Sequence, residues 1–424
     1  MTASLTRPEI RFEFVHASPD RTLLTVTTPF GRMDPFSIGD PVGKAAYLNQ
    51  NLPGLLKVFR EVTGQIDLQL SRESADEALF HLNNVAWQIA RSLFDQSQPA
   101  RKFMETVTAA LARVFAGATS DQQTWPIVNI IKEENEPLGW SIPFEFFPFA
   151  ASYPATQRQT LPFECFLGLR APLIRVRRLG RHSLTRDPTD QIKTLLLSTR
   201  DRLPGVRDQR AYFEENSRDF AVVRWPGDDE TFPYPPLRQL TRLWLEEREI
   251  IHVACHYGIS SPGSSDPAEF DFGAGCAIGA GALAGELTRH LGDRDALPLV
   301  FLNACNTATA TDPHGAIIHQ LADLGYSDII GSRCQLPDRL AGQFARSLYG
   351  LLLSDERPSL ADAVVLTRRK LAERLNPAGL LYVHYGSTLL RTEERRSPPP
   401  LPLPPPVAES SGILSALRGW FGGR

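Results

Sequence analysis

Two short apolar runs constrain the fold most: Ile250-Ile251-His252-Val253-Ala254-Cys255 and Leu299-Val300-Phe301-Leu302-Asn303-Ala304. Neither alternates cleanly with polar residues, and both are bulky or β-branched and too short for a helix. They read as strands buried on both faces, as in a parallel sheet covered by helices. Each run leads into a reactive side chain, His256 in Ala-Cys-His-Tyr-Gly and Cys305 in Asn-Ala-Cys-Asn. Ligands bind at the carboxyl edge of open α/β sheets, so the two groups are predicted to meet there although far apart in sequence.

The rest of the chain supplies such a sheet. From about 186 to 392, strand patterns at Ile192–Leu197, Phe220–Val223, Ile250–Cys255, Leu299–Asn303, Asp328–Ile330 and Leu380–His384 alternate with helical ones. A helix is expected from His314 to Leu324, another through Leu353 capped by Asp338, and a third over Leu360–Leu375 capped by Ser359. Before this part, Ile10–Val15 and Leu23–Val26 suggest a hairpin turning at Ser18-Pro19-Asp20. Helices follow over Ser74–Phe94, with Ser74 and Glu77 as a capping box, and over Lys102–Phe115. Trp125–Ile131 reads as a strand, placed at an edge by Pro126. Gly273-Ala274-Gly275 and Gly279-Ala280-Gly281 lack the context of a nucleotide-binding fingerprint and read as loop.

A thiol and an imidazole together suit nucleophilic catalysis. The imidazole takes the thiol proton or stabilises the thiolate, which then attacks a carbonyl carbon. Cys305 would be the nucleophile and His256 the base. The developing oxyanion needs fixed donors, and the backbone N–H groups of Gly258 and Cys305 are the candidates, since glycine lets substrate approach the main chain closely. This chemistry requires no metal and no cofactor.

Several segments, in order, make the chain resemble CHAT-domain proteins of the caspase-like cysteine peptidase clan. Ser141-Ile142-Pro143-Phe144-Glu145-Phe146 is similar to the family's Pro-aromatic-Glu-Leu segment, and Phe166-Leu167-Gly168-Leu169 follows it. Leu302-Asn303-Ala304-Cys305 matches Asn-Ala-Cys, with the histidine about fifty residues upstream, as in caspases. His256-Tyr257-Gly258 departs from the usual His-Gly by one inserted residue. Gly325–Gly331 and Leu336-Pro337-Asp338-Arg339 resemble the strand and Val-Pro-Asp segment before a helix that here carries Phe344, Leu348 and Tyr349. The resemblance runs from about Glu77 to Leu390. It implies a caspase-like α/β fold, a mostly parallel sheet with helices on both faces preceded by an α/β N-terminal subdomain. It also implies proteolysis of a specific protein substrate in bacterial signalling, cell death or anti-phage response, activated by a protein in trans or through the N-terminal part or the tail. In caspase-like peptidases the residue two before the nucleophile lines the specificity pocket, which implies Asn303 here. Asp271, Asp312 and Arg333 are further pocket candidates, expected from loops at the same sheet edge.

The organisation follows: residues 1–185 form an N-terminal α/β region, a candidate inert copy of the caspase-like half with the CHAT resemblance beginning near 77. Residues 186–392 form the catalytic half, 393–411 a Pro-rich linker and 412–424 a short amphipathic tail. The tail is expected to bind a partner or dock on the enzyme, a membrane surface being disfavoured by its few cations. A net charge of −3 gives no footprint for nucleic acid, and five cysteines without a pairing pattern place the chain in a reducing compartment, the cytoplasm. Two alternatives stay open: a catalytically inactive caspase-like scaffold that binds protein partners, and a small-molecule hydrolase using the same dyad. His252, Cys255 and Cys276 are read as buried fillers, Glu145 as half of a buried ion pair, and Cys334 as partly exposed.

Overall fold

The computed structural model describes residues 7–386 apart from 65–67, 117–124, 134–135, 137, 149–164, 177–190, 201–202, 228–235, 260–265, 267, 293–296, 309–315, 327 and 355–357. The linker and tail assigned to 393–424 therefore lie outside the described residues, as do Asp312 and the division near 185. The N-terminal part runs β1 (Glu9–Ser18), β2 (Arg21–Thr28), β3 (Gly31–Arg32), β4 (Phe36–Gly39), α1 (Pro41–Leu55), α2 (Lys57–Thr63), α3 (Arg72–Phe94), α4 (Ser97–Ala116), β5 (Ile127–Lys132), α5 (Leu167–Arg170) and β6 (Leu173–Val176). It continues with β7 (Ile192–Ser198), α6 (Pro204–Glu215), β8 (Phe220–Trp225), α7 (Pro236–Leu245), β9 (Ile250–Ala254), β10 (His256–Ile259), β11 (Ala268–Asp271), β12 (Ala277–Gly279) and α8 (Ala280–His290). Then come β13 (Leu299–Leu302), α9 (Ile317–Asp323), β14 (Ile329–Ser332), α10 (Asp338–Leu352), α11 (Leu360–Ala372) and β15 (Tyr382–Gly386).

Twelve strands among the described residues form one mostly parallel sheet, in the order β3-β2-β1-β5-β6-β15-β14-β13-β9-β7-β8 with β4 added to β2. Every residue of β9, β13, β14 and β15 is buried, so both faces are covered, as the apolar runs require. The chain enters this half at β7, steps out to β8, and returns to the other side of β7 as β9, from which β13 and β14 continue. That reversal is a topological switch point, where a crevice opens at the strands' carboxyl ends.

Local chemistry explains where expectation and structure differ. Helix α3 begins earlier than Ser74 because Ser71 is the cap, its hydroxyl accepting the Ser74 N–H at 3.1 Å. Strand β5 is interior, parallel to both β1 and β6; Pro126 lies just before it, so its missing N–H interrupts no pairing. The second glycine segment is no loop: Gly279 ends β12 and Ala280-Gly281 opens α8. The Asp266 carboxylate accepts the Gly281 and Ala282 N–H groups there, and a Cβ on Gly279 would lie 2.0 Å from that carboxylate. Asp338 sits inside α10 rather than capping it, and instead accepts the Gly205 N–H at 2.6 Å in the first turn of α6. Ser359 does cap α11, accepting the Asp362 N–H at 3.1 Å.

Candidate active site

Strands β9 and β13 pair in parallel with Val253 opposite Leu302, and the Asn303 N–H extends the ladder to the Val253 carbonyl at 2.8 Å. Three residues beyond Val253 is His256, and three beyond Leu302 is Cys305. The two therefore leave neighbouring strands, about 5 Å apart, at equal distance past the same sheet edge. The switch point lies beside them, between β9 and β7.

Cys305 occupies a tight turn stitched to the exit of β14. The Asn306 N–H donates to Cys334 O at 3.1 Å, the Ala308 N–H to Ser332 O at 2.8 Å, and the Ser332 N–H to Thr307 Oγ1 at 2.9 Å. Asn306 holds a positive φ of 55°, which asparagine tolerates better than most residues. The thiol is half-buried, and its Sγ accepts the Leu336 N–H at 3.4 Å. Burial pushes this thiol above its ordinary pKa, an effect the Leu336 N–H and the positive charge of Arg60 oppose and the Asp338 carboxylate reinforces. The N–H of Cys305 makes no internal hydrogen bond among the described residues.

His256 opens a three-stranded antiparallel sheet, β10-β11-β12, that stands beyond the end of β9. Alternation gives that sheet two faces. Tyr257, Ala268, Phe270 and Ile278 are buried on one, whereas His256, Glu269, Asp271 and Ala277 on the other reach solvent at least in part. His256 is exposed and lies directly opposite Asp271, and Gly258 lies opposite Glu269. Directly opposed residues have Cβ atoms about 5 Å apart, so Asp271 flanks the imidazole. It comes from a strand, not from the loop expected of it. Its Oδ1 accepts the Gly273 N–H at 2.8 Å, which fixes the carboxylate on the turn into β12. A Cβ at Gly258 would meet nothing within 4 Å, so the backbone there is open to an approaching molecule.

The other pocket candidates are placed differently. Asn303 is buried, its Nδ2 donating to Gln209 Oε1 at 2.9 Å and Ala341 O at 3.0 Å while its Oδ1 accepts from the Tyr382 hydroxyl at 2.6 Å. These bonds spend the amide inside the protein, tying the end of β13 to α6, α10 and β15. Arg333 is fully buried and donates to the carbonyl oxygens of Trp140 at 2.8 Å and Ser141 at 3.2 Å; it fastens that segment rather than lining a pocket. Burial, aided by repulsion from Arg175, lowers its pKa to about 10. His252 is buried between the Tyr349 hydroxyl at 2.8 Å and Gln209 Oε1 at 2.6 Å, and desolvation lowers its pKa to about 3, so it is neutral. Cys334 is fully buried, against the partial exposure expected, and burial raises its thiol to about 12. Cys255 and Cys276 are buried as expected. Motif reading missed Leu336 as a donor to the thiol and Arg60 as a neighbouring charge, because both contacts are made only by folding.

A family model described as the CHAT domain matches residues 154–397. No curated protein matches the chain. Among solved structures, the Saccharomyces cerevisiae separase–securin complex is similar at 12% identity over 91% of this chain and 30% of that one, with a TM-score of 0.45. A second structure of that complex gives 11%, 89%, 30% and 0.44 for the same quantities. The complex of Porphyromonas gingivalis RgpB pro- and mature domains gives 9% identity over 75% of this chain and 78% of that one, with a TM-score of 0.40. The chain thus spans under a third of the length of the separase-complex chains it matches.

Proposed function

Because the chain belongs to the CHAT-domain family, a caspase-like cysteine peptidase family, we propose that it is a cysteine endopeptidase in which Cys305 is the nucleophile and His256 the proton carrier. The observation that carries this reading is the shared register of the two residues beyond β9 and β13, beside the switch point. Cys305 Sγ, as thiolate, adds to the scissile carbonyl carbon. The oxyanion is met by the Cys305 N–H, with the open backbone at Gly258 as the second donor. The His256 imidazolium then protonates the leaving amine, and water, deprotonated by the neutral imidazole, hydrolyses the acyl-enzyme. The Asp271 carboxylate lies across the hairpin from His256, on the same face of the small sheet. The substrate is a particular protein, and an activating protein acts in trans.

An electrophilic peptide probe tests this directly. The wild-type protein should be labelled on Cys305, whereas Cys305→Ala should take no label and His256→Ala should be labelled at least a hundredfold more slowly, the scale of general acid–base assistance, about 10²–10⁴-fold. Labelling that survives Cys305→Ala would sink the mechanism.

A further inference from the structure

The segment that donates the Leu336 N–H to the nucleophile is held from outside the catalytic half. Arg60, in α2, donates from its guanidinium to Gln335 Oε1 at 2.8 Å. The end of the same helix presses on the next part of the segment: a Cβ at Gly64 would lie 3.0 Å from Pro337 Cγ. Asn376 in turn donates to Thr63 O at 3.0 Å, so the end of α2 is anchored independently of Arg60. Gln335 is exposed and Arg60 half-buried, so the grip is accessible at the surface. Arg60 also lies outside residues 154–397, the region the family model covers.

We propose that Arg60 is a positioning residue for the nucleophile: it grips Gln335, holds the 335–337 segment so that the Leu336 N–H meets Cys305 Sγ, and presents a positive charge to the thiolate. The N-terminal part is thereby a working component of the site, and a partner that displaced α2 would slow the thiol without touching it. This rests on Cys305 being the nucleophile. The groups facing the thiol are Arg60 from α2, Asp338 at the start of α10, the buried thiols Cys255 and Cys334 and the Tyr382 hydroxyl of β15, with His256 three residues past the end of the paired register on β9. Of these Arg60 supplies a permanent positive charge.

The test is the pH dependence of Cys305 alkylation by iodoacetamide, read by mass spectrometry at that residue in the full chain, which needs no turnover. Arg60→Met should raise the midpoint and slow alkylation at neutral pH by about three- to tenfold, as expected for losing a partly solvated opposite charge. Arg60→Lys should recover most of the rate, and high salt should narrow the gap between wild type and Arg60→Met. Gln335→Met breaks the grip from the other side without altering α2, and should also raise the midpoint. A profile for Arg60→Met or Gln335→Met that superimposes on wild type overturns the proposal, and so does Arg60→Lys behaving like Arg60→Met. Failure of the peptidase reading shows separately, as peptide-probe labelling that persists in Cys305→Ala.

Discussion

Glu145 shows what an ionisable residue does when it is walled in. Its carboxylate is fully buried and accepts two hydrogen bonds from Arg175, at 2.5 and 2.8 Å, with Arg368 and Arg333 nearby. Burial alone would raise its pKa, but the charge and hydrogen bonds of Arg175, with the charges of Arg333 and Arg368, bring it down to about 2. A carboxylate whose pKa is depressed on folding stabilises above its unfolded value, and that stability is lost as pH falls from about 4.5 toward about 2. Glu145→Gln should destabilise the chain by about 3–5 kcal/mol at neutral pH, because it strands Arg175 without its partner, and chemical denaturation measures this. His252 carries the opposite charge type with the same sign of effect: its folded pKa, near 3, lies below the ordinary 6.5, so the unfolded chain binds the extra proton. Stability therefore falls as pH drops from about 6.5 toward about 3. Between pH 7 and 5 the wild type should lose about 2 kcal/mol more than His252→Gln, which keeps a polar group between Tyr349 and Gln209. Both roles were readable from sequence, since a histidine inside an apolar run and a glutamate inside an aromatic segment need buried partners. The interior roles of Asn303 and Arg333 were not, because position near a nucleophile does not reveal which way a side chain faces.

Elements were legible where one period ran long and illegible where several short pieces met. The apolar stripe of α3 and the unbroken runs of β9 and β13 announced themselves, but β10, β11 and β12, of three or four residues each, did not. The 273–275 segment was read as a loop, and it is the tight turn between β11 and β12, with φ values of 77°, 51° and 77° at Gly273, Ala274 and Gly275. This small sheet sets the register of His256: Asp271 lies opposite it, and Glu269, opposite Gly258, is on the same face. Asp271→Asn keeps an oxygen for the Gly273 N–H, so the turn survives while the charge goes. Peptide hydrolysis by Asp271→Asn should fall by about tenfold while Cys305 alkylation stays unchanged. Unchanged hydrolysis with altered preference for the residue before the cleaved bond would return Asp271 to the specificity pocket. Asp338 teaches the same lesson about elements. Its sequence context announced a helix start, but which helix it serves was decided by the close approach of Gly205, where a Cβ would lie 2.0 Å from the Asp338 carbonyl oxygen.

At the scale of the molecule, the parts before and after the division near 185 share one sheet. Strand β15 is antiparallel to β14 on one side and parallel to β6 on the other, with Tyr385 opposite Arg175. Two buried arginines span the same seam: Arg333 and Arg368, from the later part, donate to carbonyl oxygens of Trp140, Ser141 and Gly168 in the earlier one, where Arg175 pairs with Glu145. A chain beginning at residue 186 would leave the β15 edge unpaired, strip Arg333 of its Trp140 and Ser141 acceptors, and leave Arg368 with the Tyr382 carbonyl but without the Gly168 carbonyl and the Glu145 charge. An unpaired apolar edge is an aggregation template, and an uncompensated buried charge is strongly destabilising. The 186–424 fragment alone should therefore be insoluble or lack a cooperative thermal transition. Co-expressed with 1–185 it should become soluble and recover Cys305 alkylation, since the missing acceptors and Arg60 arrive together. A 186–424 fragment that melts cooperatively near the full-length midpoint would show that the sheet continues across the seam without depending on it, and the Cys305 turn would then owe nothing to the N-terminal part.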